Sequence, residues 1–417
     1  MAYCKICGKP NCKTHTALLG KAVSIDRFSG SSPPEVFVGR WNYPNVYVGI
    51  LSPQEHGDTA IMSSPELWHK KRLPIPNILS LRKKLIYART KSNVKKAPLQ
   101  TKFLSTMQEI AMTHKSISAE YKLQKPITQH LERDSRVPLI SQAALIKDVR
   151  LEENPTIKPK VEYLVNDTDV KSKTALLELE RSGIDTSSMI KLLSAGLLGI
   201  KKNRILVPTR WSITAVDDTI SKEKLLRIRL YQEIPEISIF TAEYLGNHYE
   251  FLLLPDKYSF EVIEIALTSE SPCVIFGLSD ARSVPRTEVR GLSNTSTSEG
   301  IWHDYESFFP RKKYADSVTG AYYANRLALT EYLERIKRQA SCIVFREIRP
   351  EYYAPLGVGI LRQISRQAFN NKPKTFNTLN EAFEDIQSRI KTSLQKFTSN
   401  SIILRDYGKQ TRIQQFL

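Results

Sequence analysis

Three β-rich runs follow one another at residues 236–245, 249–254 and 260–267, with Gly246-Asn247 as a hairpin signal between the first two. Such a series has to be satisfied as a sheet. It predicts an antiparallel sheet that opens a second domain and divides the chain near residue 230. An amphipathic helix over 319–338, a strand over 342–348 and helices near 357–369 and 378–391 complete that domain. The preceding part reads differently. Val36-Phe37-Val38 and Val46-Tyr47-Val48-Gly49-Ile50 predict strands separated by Gly39-Arg40-Trp41-Asn42-Tyr43-Pro44. Helices are expected at 65–71, with Pro65 at its start, and at 77–90, 101–113, 170–182, 187–194 and 212–232. Residues 124–160 read as irregular, and Arg204–Val207 as a strand. The fold class is therefore α+β, with two closely packed mixed domains at 21–232 and 233–397. A knuckle (1–20) precedes them and a flexible tail (398–417) follows.

The chain has 417 residues, 41% hydrophobic and 25% charged, which suits a globular protein of two or three domains with its own core. That composition excludes disorder throughout. No run of 18 apolar residues occurs, which argues against a membrane-spanning helix. The polar, cysteine-bearing start does not read as a signal peptide. A soluble cytoplasmic, nucleoid-associated protein is the expectation. Lys and Arg number 61 against 43 Asp and Glu, a net charge of +18. Basic patches on that scale favour polyanionic partners, nucleic acid foremost.

The five cysteines are an odd number, which argues against a disulfide framework. Cys4, Cys7 and Cys12 are followed by His15, so two ligand pairs with two-residue spacers lie within a dozen residues. Three thiolates and an imidazole form the soft tetrahedral set that Zn2+ prefers, and a full set makes the site structural. Cys273 and Cys342 lie in apolar runs and read as buried thiols. From Arg82 to Lys96 the chain carries Arg82, Lys83, Lys84, Arg89, Lys91, Lys95 and Lys96 with no acid. A solvated helix face normally mixes signs, so this run reads as a phosphate-contact surface.

The last eight residues are QTRIQQFL. Gln410, Ile413, Phe416 and Leu417 resemble the box by which partners bind the sliding clamp PCNA, with Leu417 where a second aromatic is usual. A single 3₁₀ turn would put Ile413 and Phe416 on one face, as groove-binding peptides require. The alternative is that the tail packs back on its own domain.

The segment VPTRWSITAVDDTI (207–220) resembles the signature block of the archaeal Nre family, and GRWNYPNVYVGILSP (39–53) and GDTAIMSSPELWH (57–69) agree with it. With the knuckle and the terminal box, the resemblance spans nearly the whole chain. It implies a role in DNA repair with the sliding clamp, alongside nucleotide excision repair proteins. It implies no particular chemistry.

Within these blocks Arg stands beside Trp twice, as Arg40-Trp41 and Arg210-Trp211. Arg can fork onto a phosphate while an indole stacks on a base. Asp58, Asp217 and Asp218, with a histidine, are candidates to hold Mg2+ or Mn2+ for phosphodiester cleavage. Equally, Trp211 and Ile213 can be core, and Arg210 can pair with an Asp inside it. Three readings follow: a clamp-recruited DNA-binding repair factor, a metal-dependent nuclease, and an RNA-binding protein. His303-Asp304, beyond the Arg282, Arg286 and Arg290 loop, reads as the rim of a phosphate-closing loop or of a solvated linker.

Overall fold

A computed structural model describes residues 24–98, 101–128, 143–267 and 300–409. The knuckle residues Cys4, Cys7, Cys12 and His15 lie outside these, as do Gln410, Ile413, Phe416 and Leu417. So do Cys273, Arg282, Arg286 and Arg290. The α+β class is observed: two six-stranded mixed sheets and twelve α-helices among the described residues. The chain divides into two compact units inside one helix, between Ile220 and Ser221, with Pro355–Gly359 counting with the first. No described helix is long and apolar enough to cross a membrane.

The first unit is built on the sheet β1-β5-β6-β4-β3-β2. Its strands are β1 (Ser24–Ser32), β2 (Glu35–Val38), β3 (Asn45–Ser52), β4 (Ile86–Asn93), β5 (Ile117–Thr128) and β6 (Ala143–Leu151). All neighbours are antiparallel except β4 and β6. In β3 the even positions Val46, Val48 and Ile50 are fully buried. Tyr47, Gly49 and Leu51 therefore point to the other face, as a period of two demands. The register places Lys91 opposite Tyr47, Arg89 opposite Gly49 and Tyr87 opposite Leu51.

The helices of this unit begin where capping residues stand. In α1 (Pro65–Lys70), Ser64 accepts a hydrogen bond from the Leu67 amide and Pro65 takes the first position. After α2 (Ile75–Lys83), Thr101 caps α3 (Lys102–Met112). Then come α4 (Pro159–Asn166), α5 (Ser172–Arg181) and α6 (Thr186–Ser194), the last capped by Asp185. The helix α7 (Thr209–Ile228) carries the 207–220 block and crosses from one unit into the other.

Several expectations change here. The helix expected over 77–90 stops at Lys83, and most of the basic run is the strand β4, because Ile86, Tyr87 and Ala88 fill a sheet position against β3 and β6. Residues 124–160 supply the end of β5, all of β6 and the start of α4 rather than irregular chain, and the alternation in AALIKDVRL is what marks β6. Arg204–Val207 is extended but pairs in no sheet. Arg204 instead spends its guanidinium on the carbonyls of Gly199, Val165 and Asp167.

The second unit holds β7 (Ile237–Tyr244), β8 (Asn247–Leu254), β9 (Ser259–Ala266), β10 (Gly300–Glu306), β11 (Ser341–Ile348) and β12 (Lys374–Phe376), in the order β10-β9-β11-β8-β7-β12. The β7–β8 turn is Leu245-Gly246, both at positive φ, which matches the twist of a two-residue hairpin. It lies one residue before the expected turn. β8 and β9 do not pair, because β11 inserts between them, antiparallel to β8 and parallel to β9. A strand buried on both faces belongs at that central place.

One face of this sheet packs Leu252, Ile263, Ile343 and Phe345 against Ile386 of α10 (Leu379–Gln387) and Phe397 of α11 (Leu394–Thr398). Ile403 of α12 (Ile402–Asp406) joins them, so the segment expected as tail from 398 is helical and packed through Asp406. On the other face, rings of α8 (Gly320–Ile336) and α9 (Val358–Asn370) meet Phe240, Phe251 and Phe260. α8 is buried along most of its length rather than amphipathic.

Candidate nucleic-acid interface

On the odd-numbered face of β3 and β4, cations lie on aromatic rings. The Arg89 guanidinium is 4.2 Å from the centre of the Tyr47 ring and 5.6 Å from that of Tyr87. Lys91 Nζ is 5.5 Å from Tyr47. Gly49 faces Arg89, and a Cβ there would come within 2.7 Å of the Tyr87 ring and 2.8 Å of the Arg89 Cα. Only glycine permits that approach. The Nε of Arg89 is buried without a hydrogen-bond partner, so its attraction to the two rings carries its local stabilisation.

The loop between β2 and β3 extends this surface. Gly39 donates to the Tyr47 carbonyl (2.7 Å), and Asn42, at φ 62°, turns the chain. The loop leaves Trp41 61% and Tyr43 47% exposed. Arg40 lies 4.6 Å over the Trp41 ring. From the first turn of α7, Trp211, 45% exposed, brings its ring to 5.2 Å from Tyr43 at an angle of 51°. Two contacts set α7 there: Val38 donates to Thr209 Oγ1 (2.9 Å), and Ile213 packs with Phe37, Leu51 and Tyr87. The 3₁₀ turn Val94–Lys96 is tied to the same loop, since the Val94 amide donates to the Pro44 carbonyl (2.9 Å). Lys95 and Lys96 are exposed on that turn. Among the described residues, Arg89, Lys91, Lys95 and Lys96 have no carboxylate partner.

The other expected contacts are placed elsewhere. Arg82 is fully buried: its Nη1 pairs with Glu35 at 2.6 Å and donates to the Met62 carbonyl. Arg210 is also buried. Both are thus corrected from surface phosphate contacts to interior groups, since a charge held inside stays there only when partnered. Lys84 is exposed but paired with Glu55 at 2.6 Å. Lys83 is half-buried, and burial holds its ammonium below the ordinary lysine range.

The carboxylates do not converge. Asp58 is exposed and accepts from the Ala60 amide and Ser116. Asp217 is fully buried and partnered, while Asp218, one position on, is half-buried. Among the described residues, no three His, Cys, Asp or Glu side chains gather closely enough to hold a metal ion. The set proposed for Mg2+ or Mn2+ is therefore not brought together.

Sequence reasoning did not single out Tyr43 or Tyr47. Tyr47 was legible only once β3 and β4 were set in register. In the second unit, Asp304 pairs with Arg311 (2.9 Å) and accepts from the Val318 amide; burial raises its carboxyl. His303 bonds to Glu261 (2.6 Å), which also accepts from Ser401 and the amides that open α12. Both residues are used up in holding the fold.

The arrangement defines a two-unit α+β protein with a cation-bearing aromatic face on its first unit. Residues 2–270 match the family described as Archaeal Nre, N-terminal, and residues 306–416 match Archaeal Nre, C-terminal. The chain is 32% identical over 413 residues to the DNA repair protein NreB of Archaeoglobus fulgidus, covering 99% of this chain and 97% of that one. It is 33% identical over 394 residues to the DNA repair protein NreA of the same organism, with 93% of each chain covered. Against the DNA repair protein NreA of Haloferax volcanii it is 30% identical over 402 residues, or 95% of this chain and 90% of that one. No solved structure matches. The chain belongs to the archaeal Nre family.

Proposed function

We propose that this protein is a DNA repair factor that holds DNA on the β3–β4 face and reaches it by way of the sliding clamp. The observation that carries the reading is the row of four cations, Arg89, Lys91, Lys95 and Lys96, without a carboxylate partner among the described residues, beside exposed rings. Cations left unpaired on one face release counterions when phosphates replace them. The names of the relatives support the repair role. The terminal string Gln410, Ile413, Phe416, Leu417 supports the clamp, PCNA, as partner. Tethering there raises the local DNA concentration to the millimolar scale, so about micromolar affinity suffices. Excision-repair proteins are the further partners this role suggests. Cys4, Cys7, Cys12 and His15 supply the donor chemistry of one structural Zn2+, to be checked as about one zinc per chain by metal analysis.

The test has two arms. Deleting residues 410–417 abolishes clamp binding in size-exclusion chromatography and leaves DNA binding unchanged. Duplex DNA is bound with an affinity that falls steeply with salt. Clamp binding that survives the deletion removes the recruitment arm; RNA bound in preference to DNA moves the reading to RNA.

A further inference from the structure

We infer that the Trp41–Tyr43–Trp211 cluster is a stacking platform for unpaired bases, so that the nucleic acid taken by this face is single-stranded or locally opened. The inference rests on the nucleic-acid reading above and adds the form of the ligand. The Tyr43 and Trp211 rings meet at 5.2 Å, and Trp41 stands two residues before Tyr43 on the same loop; each of the three is about half exposed or more. An exposed ring cluster of this kind has to be covered by something with a matching face. The surroundings name the occupant. Arg40 lies over Trp41, Arg89 and Lys91 lie on Tyr47, the β3 residue to which Gly39 of the loop bonds, and Lys95 and Lys96 are tied to the loop through Val94 and Pro44. An apolar protein partner would have to desolvate these cations. A polyanion whose own units carry flat π-faces satisfies rings and cations together. Paired bases keep their faces against each other and offer such rings nothing but edges and sugars. Unpaired bases offer their faces.

The residues that carry this are few. The tilt of 51° between Tyr43 and Trp211 keeps those rings from stacking on each other. Loop anchoring at Gly39 and Asn42 holds Trp41 and Tyr43 out rather than letting them collapse inward. The other two tryptophans are less exposed: Trp68 is fully buried and donates to the Ile61 carbonyl, and Trp302 is half-buried. Quenching of indole fluorescence by a bound ligand therefore reports mainly on the proposed platform.

The experiment titrates the full-length protein with oligothymidine and with a blunt duplex, following tryptophan quenching and anisotropy. Expected for the wild type is preference for oligothymidine with quenching. Trp41→Ala and Trp211→Ala each weaken oligothymidine binding about tenfold, the usual loss for one base–ring stack. Trp41→Phe and Trp211→Phe retain most of it, and the melting temperature stays near wild type in all four. Oligothymidine binding unchanged in the double alanine variant overturns the inference. Equal binding of duplex and single strand without quenching overturns it too and leaves nucleic-acid binding standing. No binding of either by the wild type overturns both.

Discussion

The two units of this molecule both carry arginines in or beside their sheets and treat them in opposite ways. In the second unit the charges are paired and dry. Arg346 meets Glu264 at 2.6 Å and bonds to Asn247; Arg326 meets Glu306 at 2.6 Å, and Arg349 meets Glu347 at 2.8 Å. Burial pushes the Glu264 carboxyl up, and Arg346 opposes that push. In the first unit Arg89 and Lys91 lie on rings, without a carboxylate among the described residues. An interior ion pair satisfies itself and sets a unique packing. A cation held on a ring at a surface remains available to an anion. The same residue type thus serves architecture in one unit and, on the β3–β4 face of the other, stays open to the anion proposed above.

The sharpest way to break the comparison is to remove one member of a buried pair. Arg346→Ala or Glu264→Ala leaves a charge without its partner and is expected to cost about 3–5 kcal/mol in denaturant unfolding. The double variant Arg346→Met/Glu264→Leu is expected to cost less than either single change; equal or greater cost would mean the pair is not the dominant interaction there.

Next comes a contrast inside the basic run. Arg82→Ala is expected to lower stability by about 3 kcal/mol, because Glu35 loses its partner, while Lys91→Ala stays within about 0.5 kcal/mol. Similar melting temperatures for the two variants would erase the distinction between buried and surface cations.

Gly49→Ala drives a Cβ toward the Tyr87 ring and the Arg89 backbone. Overpacking of this kind is expected to cost about 1–3 kcal/mol, read in the same unfolding assay, and to loosen Arg89 from Tyr47.

A smaller effect is read by pH in the second unit. For Glu334, Glu347 and Asp385, all in the second unit, burial pushes the carboxyl up, yet hydrogen bonds outweigh it and hold each below its ordinary value. The donors are Lys224 and Arg227 for Glu334, Arg349 and Thr392 for Glu347, and Lys374 and Arg389 for Asp385. A depressed folded-state pKa gives stability that is present above the unfolded value and lost as pH falls through the folded one. Hydrogen-exchange protection in this unit, taken relative to the intrinsic rate at each pH, is therefore expected to fall as pH drops below about 4, the ordinary carboxylate range. In the Lys374→Gln variant the loss contributed by Asp385 shifts toward higher pH.

How far the sequence already spoke follows the same division. β-rich runs set off by turn residues revealed β2, β3, β7, β8 and β9, Pro65 marked the start of α1, and α3 and α6 lie where helices were expected. The basic run misled because a charge pattern does not carry its own period. Arg82 ends a helix with its head inside, and Arg89 and Lys91 alternate with buried Ala88 on a strand. Tertiary pairing decided both. The insertion of β11 between β8 and β9 was illegible for a related reason, since pairing order depends on the crossover through α8. Arg40, Trp41 and Trp211 were legible as a candidate surface because Arg beside Trp occurs twice. Arg210 was not separable from Arg40 without knowing which side of α7 faces the core.

The central claim is that the β3–β4 face is where nucleic acid sits. The most direct test is the salt dependence of duplex binding for the wild type and for Lys91→Gln/Lys95→Gln/Lys96→Gln. These three lysines are exposed, so the fold should be untouched. If each neutralises one phosphate, the slope of log affinity against log salt falls in magnitude by about 2.7, at about 0.9 per contact, with an unchanged melting temperature. An unchanged slope in the folded triple variant would place the DNA elsewhere and contradict the claim.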